Sequence, residues 1–195
     1  MRLLKTLATG TTLAAALALS ACIDVEMDIA VLGPDQVRVS GFTQMPLEMV
    51  DMVGGAEGFC DAEDGGTIVM TDTHARCELL MESDFAAAFP DADEAGDEGS
   101  PSITDLGDGT AVVRVPLGDA TGDMGEMMED PNMIAMMRPM MEGHGLRFSV
   151  SGSEIVSTNG TLSDDGTRAT LEFPLTDLLD PENDLPAVFE TIVRY

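Results

Sequence analysis

From Ile23 to Val31 apolar and acidic residues alternate, with Ile23, Val25, Met27, Ile29 and Val31 on one side and Asp24, Glu26 and Asp28 on the other. That period of two predicts a half-buried strand. "GPDQ" turns the chain, and Val37 and Val39 continue in a second strand, antiparallel to the first. "MPLEMVDMVGG" then changes period. Pro46 suits a first helical turn, Met49, Val50 and Val53 are helically spaced, and Gly54-Gly55 stops the segment, so a helix of about two turns is expected. Strands follow near Thr67 to Thr71 and near Ala75 to Met81. "ITDLGDGTAVVRVPL" predicts a hairpin turned at Gly107 to Gly109. Leu146, Phe148 and Val150 alternate again, Asn159-Gly160 and Asp165-Gly166 mark tight turns, and "TRATLEFPL" and Val188 to Val193 supply the last strands. The pattern predicts an α+β fold, a mostly antiparallel sheet with one or two amphipathic helices packed on one face.

One of those helices is dense in methionine. Residues 124 to 141 hold eight of the fifteen methionines in the chain. Asp130 is a fair N-cap, Pro131 a fair first helical residue and Gly143 a fair stop. Within these limits Met133, Met136, Met137, Met140 and Met141 recur at i, i+3, i+4, i+7 and i+8, a single apolar stripe. Pro139 removes a backbone donor from the helix and predicts a kink near residues 135 to 138. Met124, Met127 and Met128 repeat the spacing for one turn before Asp130-Pro131 breaks it. Three uses of the stripe stay open. It packs as core, since Met fills irregular gaps and the chain has no Trp; it binds an apolar ligand or partner; or its thioethers hold copper(I), with Met136, Met140 and His144, or Met133 with Met137, as ligands.

The first 21 residues change where such a domain would work. Arg2 and Lys5 precede the short apolar run "LATGTTLAAALALSA", an export signal too short and too interrupted to span a bilayer, which takes about 20 apolar residues. It ends in "LSAC", Leu19 to Cys22, which resembles the lipobox of bacterial lipoproteins. The resemblance implies cleavage after Ala21, lipid on the Cys22 sulfur and acylation of the new amino terminus. Two or more chains anchor stably where one does not, each buried methylene contributing about 0.8 kcal/mol. In enteric lipoproteins an Asp directly after the Cys retains the protein in the inner membrane. Here Ile23 follows, with Asp24 one further on, so a periplasm-facing position on the outer membrane is expected.

Residues 22 to 195 are enough for one domain with a real core, with an acidic loop, "PDADEAGDEGSP", from Pro90 to Pro101. They carry all 36 acidic residues and 7 of the 9 basic ones, a formal charge of −29. Nucleic acid is excluded as a partner, and attachment to a membrane rests on the Cys22 lipid rather than on charge. The expected partners are that membrane and, through the stripe, a lipid or an envelope protein.

Catalytic parts are scarce. His74 and His144 are the only histidines, and no G-x-S-x-G elbow, P-loop or H-E-x-x-H occurs. With 36 acids, nominating two as an acid–base pair has no force without geometry. "DADEAGDEG" places Asp91, Asp93 and Gly96 like positions 1, 3 and 6 of an EF-hand, but Ala95 and Ser102 stand where ligands are needed. No enzyme activity and no cofactor are expected. Cys60 and Cys77 predict a disulfide in an oxidising compartment. The alternative, a metal held by both with His74, lacks a fourth ligand and the paired Cys-x-x-Cys spacing.

Two segments, "DVEMDIAVLGPDQVRVSG" and "VSGSEIVSTNGTLSDDGTRATLEFPL", resemble the mycobacterial LppM-like lipoprotein family. The first matches its opening strand, acid-bearing turn and V-S-G; the second matches its late run of Gly, strand, Asn-Gly, short strand, turn and apolar strand. The chain departs from the family at Val150-Ser151-Gly152, where an aromatic-Pro-Gly is usual, and near Leu171, where Trp is usual. Many members carry a trailing transmembrane helix, and no apolar run of that kind precedes Tyr195. The resemblance implies an envelope α+β lipoprotein with an apolar, lipid-contacting cavity and carries over no catalytic residue.

Overall fold

A computed structural model describes residues 24–51, 55–60, 65–89, 100–117, 131–180 and 183–195. The signal segment, Cys22, residues 90–99 of the acidic loop, Met124, Met127, Met128 and the Asp130 cap lie outside the described residues.

Alternation becomes strand where it was expected. β1 (Asp24–Gly33) and β2 (Gln36–Pro46) pair antiparallel, joined at Asp35, whose φ of +57° matches the third position of a Pro-led turn. β3 (Gly66–Met70) and β4 (His74–Ser83) form the next hairpin, and β4 also pairs with β2. β5 (Ser102–Asp105) and β6 (Thr110–Pro116) turn through Gly107 and Gly109, both at positive φ. The chain continues through β7 (Gly145–Ser151), β8 (Glu154–Thr158), β9 (Thr161–Leu162), β10 (Arg168–Pro174) and β11 (Val188–Arg194).

These strands make two sheets. One has seven strands in the order β3-β4-β2-β1-β7-β10-β9, with β1 and β7 parallel; the other is antiparallel, in the order β5-β6-β11-β8. The class is α+β, but the cover over the large sheet is mainly the second sheet rather than helices. Ile29, Val31, Val37, Val39, Val150 and Ala169 from the first sheet share one core with Val113, Val115, Phe189 and Val193 from the second. Phe189, wholly buried, is the largest of the fully enclosed side chains.

Glycines sit where the sheets meet. The chain leaves the first sheet at Ser151 and enters the second at Glu154, so Gly152 lies at a corner. A methyl group there would meet Val193 Cγ2 at 2.4 Å and the Arg194 carbonyl at 2.6 Å. Asn159-Gly160 is a turn dipeptide, but Gly160 is not at positive φ, and its role is spatial. A methyl there would lie 2.7 Å from both the Phe189 ring and the Thr170 carbonyl. Asn159 completes this junction by donating to the Val188 carbonyl at 2.7 Å and accepting from the Glu190 N–H at 2.9 Å.

The expected two-turn helix at Pro46 is reduced to α1 (Leu47–Val50), followed by the separate α2 (Gly55–Phe59). Gln44, Met45 and Pro46 pair with Arg76, Ala75 and His74, so ladder bonding carries β2 through Pro46, which caps the helix from extended backbone. Met45, Val50 and Ala75, with Ile68 and Phe59 beside them, form a small second core. α3 (Phe85–Ala88) is capped by Asp84, which accepts from the Ala87 N–H at 2.7 Å. α4 (Pro131–Met141) is the methionine helix. No helix among the described residues is long and apolar enough to cross a membrane.

Candidate functional site

α4 is stopped two residues past Met141 by Gly143, whose φ of +88° supplies the left-handed turn. Pro139 is accommodated within the helix, and the Ala135 carbonyl that it leaves without a donor belongs to an exposed residue. Just beyond the stop His144 ties three elements together. Its Nδ1 lies 3.0 Å from both carboxylate oxygens of Asp24, the first residue of β1, and the adjacent Gly145 N–H donates to the same carboxylate at 3.2 Å. The His144 carbonyl accepts from the Leu175 N–H at 2.9 Å, at the start of a 3-10 turn, Leu175–Leu179. α4 packs on that turn, whose Leu175, Leu178 and Leu179 are buried.

The five methionines divide by side. Met133, Met137 and Met141 are half-buried, and Met141 packs on the main core. Ile134, which lies outside the methionine stripe, is half-buried with them. At about 100° per residue these four centre the packed side, and Met136 and Met140 fall at its solvent rim. There they are 62% and 39% exposed. Equal spacing made the five look equivalent, and only the position of the 3-10 turn separates them.

Cys60 and Cys77 are joined in a disulfide with Cα atoms 5.3 Å apart, so neither thiol is available to a metal. His74 Nδ1 is 2.8 Å from the Thr73 hydroxyl. Among the described residues no group of three or more His, Cys, Asp or Glu side chains converges on one point.

Between the two cores the large sheet carries an open, mainly apolar cavity of about 180 Å³, lined by Val25, Met27, Gly41, Thr43, Gly66, Cys77 and Leu79 and bordered by Glu26, Ser40 and Phe42. The second sheet packs on the rows from Ile29 onward, Met27 and Leu79 reach its core from the rows before, and glycines stand at 41 and 66 in those rows. Neither alternation nor spacing signals this pocket; only the family resemblance implied one.

The opposite face of the large sheet is polar and cross-linked by ion pairs. Arg168 pairs with Asp28, Arg38 with Glu82, and Arg147 with Glu172 at 3.8 Å. Each is exposed enough to contribute little, typically under about 1 kcal/mol. Phe42 stands among them, with the Arg76 guanidinium 3.6 Å over its ring. Arg76 Nε is 3.1 Å from Glu78 Oε1, but no directional hydrogen bond reaches this buried nitrogen. Two open clefts, of about 420 and 700 Å³, flank the stack. The sequence did carry a trace of it: in β2 Phe42 takes the register of Arg38 and Ser40, an aromatic on the polar side.

No family model matches the sequence, and no curated protein does. Among solved structures, the folded domain of Mycobacterium tuberculosis LppM, determined by NMR, shares the fold. The TM-score is 0.51 at 12% identity, over 89% of this chain and 90% of that one. The close-approach glycines 41, 152 and 160 all fall in the two segments that resemble the LppM-like family. At this identity the likeness is one of fold.

Proposed function

We propose that, on an LppM-like fold, this chain is an envelope lipoprotein, anchored through Cys22 to the outer membrane, whose periplasmic domain binds an apolar ligand or partner and performs no catalysis. The observation that carries the reading is the apolar cavity between the two cores, about 180 Å³ and bordered by Met27 and Leu79. Sites for whole drug-sized ligands run from about 300 to 1,000 Å³. The cavity therefore suits part of an acyl chain or a single large side chain. The pliable edge at Met136 and Met140 extends apolar surface elsewhere on the domain.

Native mass spectrometry of the Cys22→Ser protein tests this. Co-purifying lipid that is lost in Leu79→Trp, which fills the cavity, is the expected result. Protein that emerges bare and takes up no lipid on reconstitution overturns the reading.

The alternative is copper(I) handling through Met136, Met140 and His144. Two exposed thioethers one helical turn apart favour it. Against it, His144 Nδ1 is engaged by Asp24, and no other His or Cys stands in the helix.

A further inference from the structure

We infer that the Asp24 end of the large sheet lies directly on the bilayer, with Val69 and Met70 as its lipid-contacting residues. The inference rests on the proposed lipidation of Cys22. Only Ile23 separates that cysteine from Asp24, the first residue of β1. Two consecutive Cα–Cα steps of about 3.8 Å reach at most about 7 Å, so the tether has no slack with which to hold the domain away from the membrane.

What lies beside Asp24 is set by register. Asp24 pairs with Gln44, Gln44 with Arg76, and Arg76 with Val69, which puts the end of β3 in the same row as the start of β1. β3 is an edge strand, and its last two residues, Val69 and Met70, are 41% and 54% exposed. Val69, opposite Arg76, and Met70, opposite Ala75, point to opposite faces of the sheet, but both close an edge strand at its end, where a bilayer lying across the strand ends meets the two together. Both histidines and Arg76 stand at this end, together with Asp72 in the loop after Met70 and Glu48 in α1, so the contact rests on the tether and the apolar pair rather than on charge. The flanks of the acidic segment lie elsewhere. In α3, which precedes it, the Phe85 N–H donates to the Asp35 carboxylate, in the turn at the opposite end of β1.

The chain has no Trp, so single reporters are clean. Met70→Trp and Val69→Trp mark the proposed contact. Leu32→Trp marks the far end of β1, eight residues or about 26 Å from Asp24, at a position already exposed. Each full-length, lipidated variant is reconstituted into phosphatidylethanolamine and phosphatidylglycerol vesicles with or without brominated acyl chains. Mass spectrometry establishes the modification of Cys22, and melting curves establish folding. Quenching of two-fold or more for Met70→Trp, with Leu32→Trp unchanged, is the expected result. If Met70→Trp does not fold, Val69→Trp decides. A lipidated protein whose reporters at 69 and 70 are unquenched, or whose Leu32→Trp is quenched more, overturns the orientation while leaving the anchor standing. An unmodified Cys22 in a protein that does not float with vesicles overturns the anchor and the orientation with it.

Discussion

Replacing Gly41 by alanine tests the strand packing at the floor of the cavity. In an ordinary strand interior Gly→Ala stabilises by about 0.5–1 kcal/mol, because glycine loses more backbone freedom on folding. Gly41 should reverse that sign. The added methyl would lie 2.0 Å from the Glu26 carbonyl oxygen and 3.0 Å from both the Glu26 carbonyl carbon and the Met27 Cα. All three are backbone atoms of the paired strand, so no rotamer change relieves the contact. Restoring an ordinary separation near 3.4 Å from the Glu26 oxygen needs about 1.4 Å of movement. Ladder bonds near 2.9 Å would then stretch beyond hydrogen-bond range. Losing two such bonds at about 1 kcal/mol each, with about 1–3 kcal/mol for whatever strain remains, costs more than the backbone entropy returns. The expected net loss is about 2–4 kcal/mol, or about 5–15 °C in Tm for a domain of this size. Calorimetry on the Cys22→Ser background with the disulfide intact measures it. Gly33→Ala is the control, since the nearest atom to its methyl is the Gln36 side-chain oxygen at 3.9 Å, and a change within about 0.5 kcal/mol is expected. A Gly41→Ala protein as stable as Gly33→Ala, or more stable than the parent, would refute the close approach.

Opening the Cys60–Cys77 link, by reduction or by a double serine variant, should cost about 3 kcal/mol in the chain-entropy model, seen as a lower Tm under reducing conditions. Met141→Ala should lose about 2 kcal/mol because Met141 packs on the core, whereas exposed Met136→Ala should stay within about 0.5 kcal/mol; equal losses would undo the division of the stripe. Copper(I) titration under reducing conditions should give no tight binding, and nothing that Met136→Leu with Met140→Leu changes; a stoichiometric site abolished by that pair would establish the alternative. The Asp108 carboxyl is held below the ordinary 3.8, chiefly because the Thr110 hydroxyl donates to it. A carboxyl depressed by folding adds stability above its unfolded pKa and loses it as pH falls through the folded value. Carboxyl-carbon NMR should therefore show Asp108 titrating below 3.8, and Thr110→Val should raise its midpoint.

Strand positions were legible because alternation is a local signal. The acids of β1 and the turn residues at Asp35, Gly107, Gly109 and Gly166 report directly on side-chain facing and backbone φ. The α1 segment misled for the converse reason. Its helical spacing was present, but Met45 and Pro46 had partners in β4, and pairing across the sheet outweighed a weak local propensity. Gly160 looked like a turn glycine because Asn-Gly is a turn dipeptide. Its true constraint, the Phe189 ring and the Thr170 carbonyl, comes from other strands.

The sequence by itself determined the class, most of the strands, the methionine helix with its Gly143 stop, the Cys60–Cys77 pairing as an expectation, and the lipobox resemblance at Cys22. Tertiary structure decided that the strands divide into two sheets, that β1 runs parallel to β7, and that an apolar cavity opens between the two cores. It also separated Met133, Met137 and Met141 from Met136 and Met140. Periodicity fixes which side chains share a face, but which face meets which depends on contacts between residues far apart in the chain. His144 and Asp24 stand at opposite ends of the separation that the fold had to close, and their bond seats the helix beside the first strand.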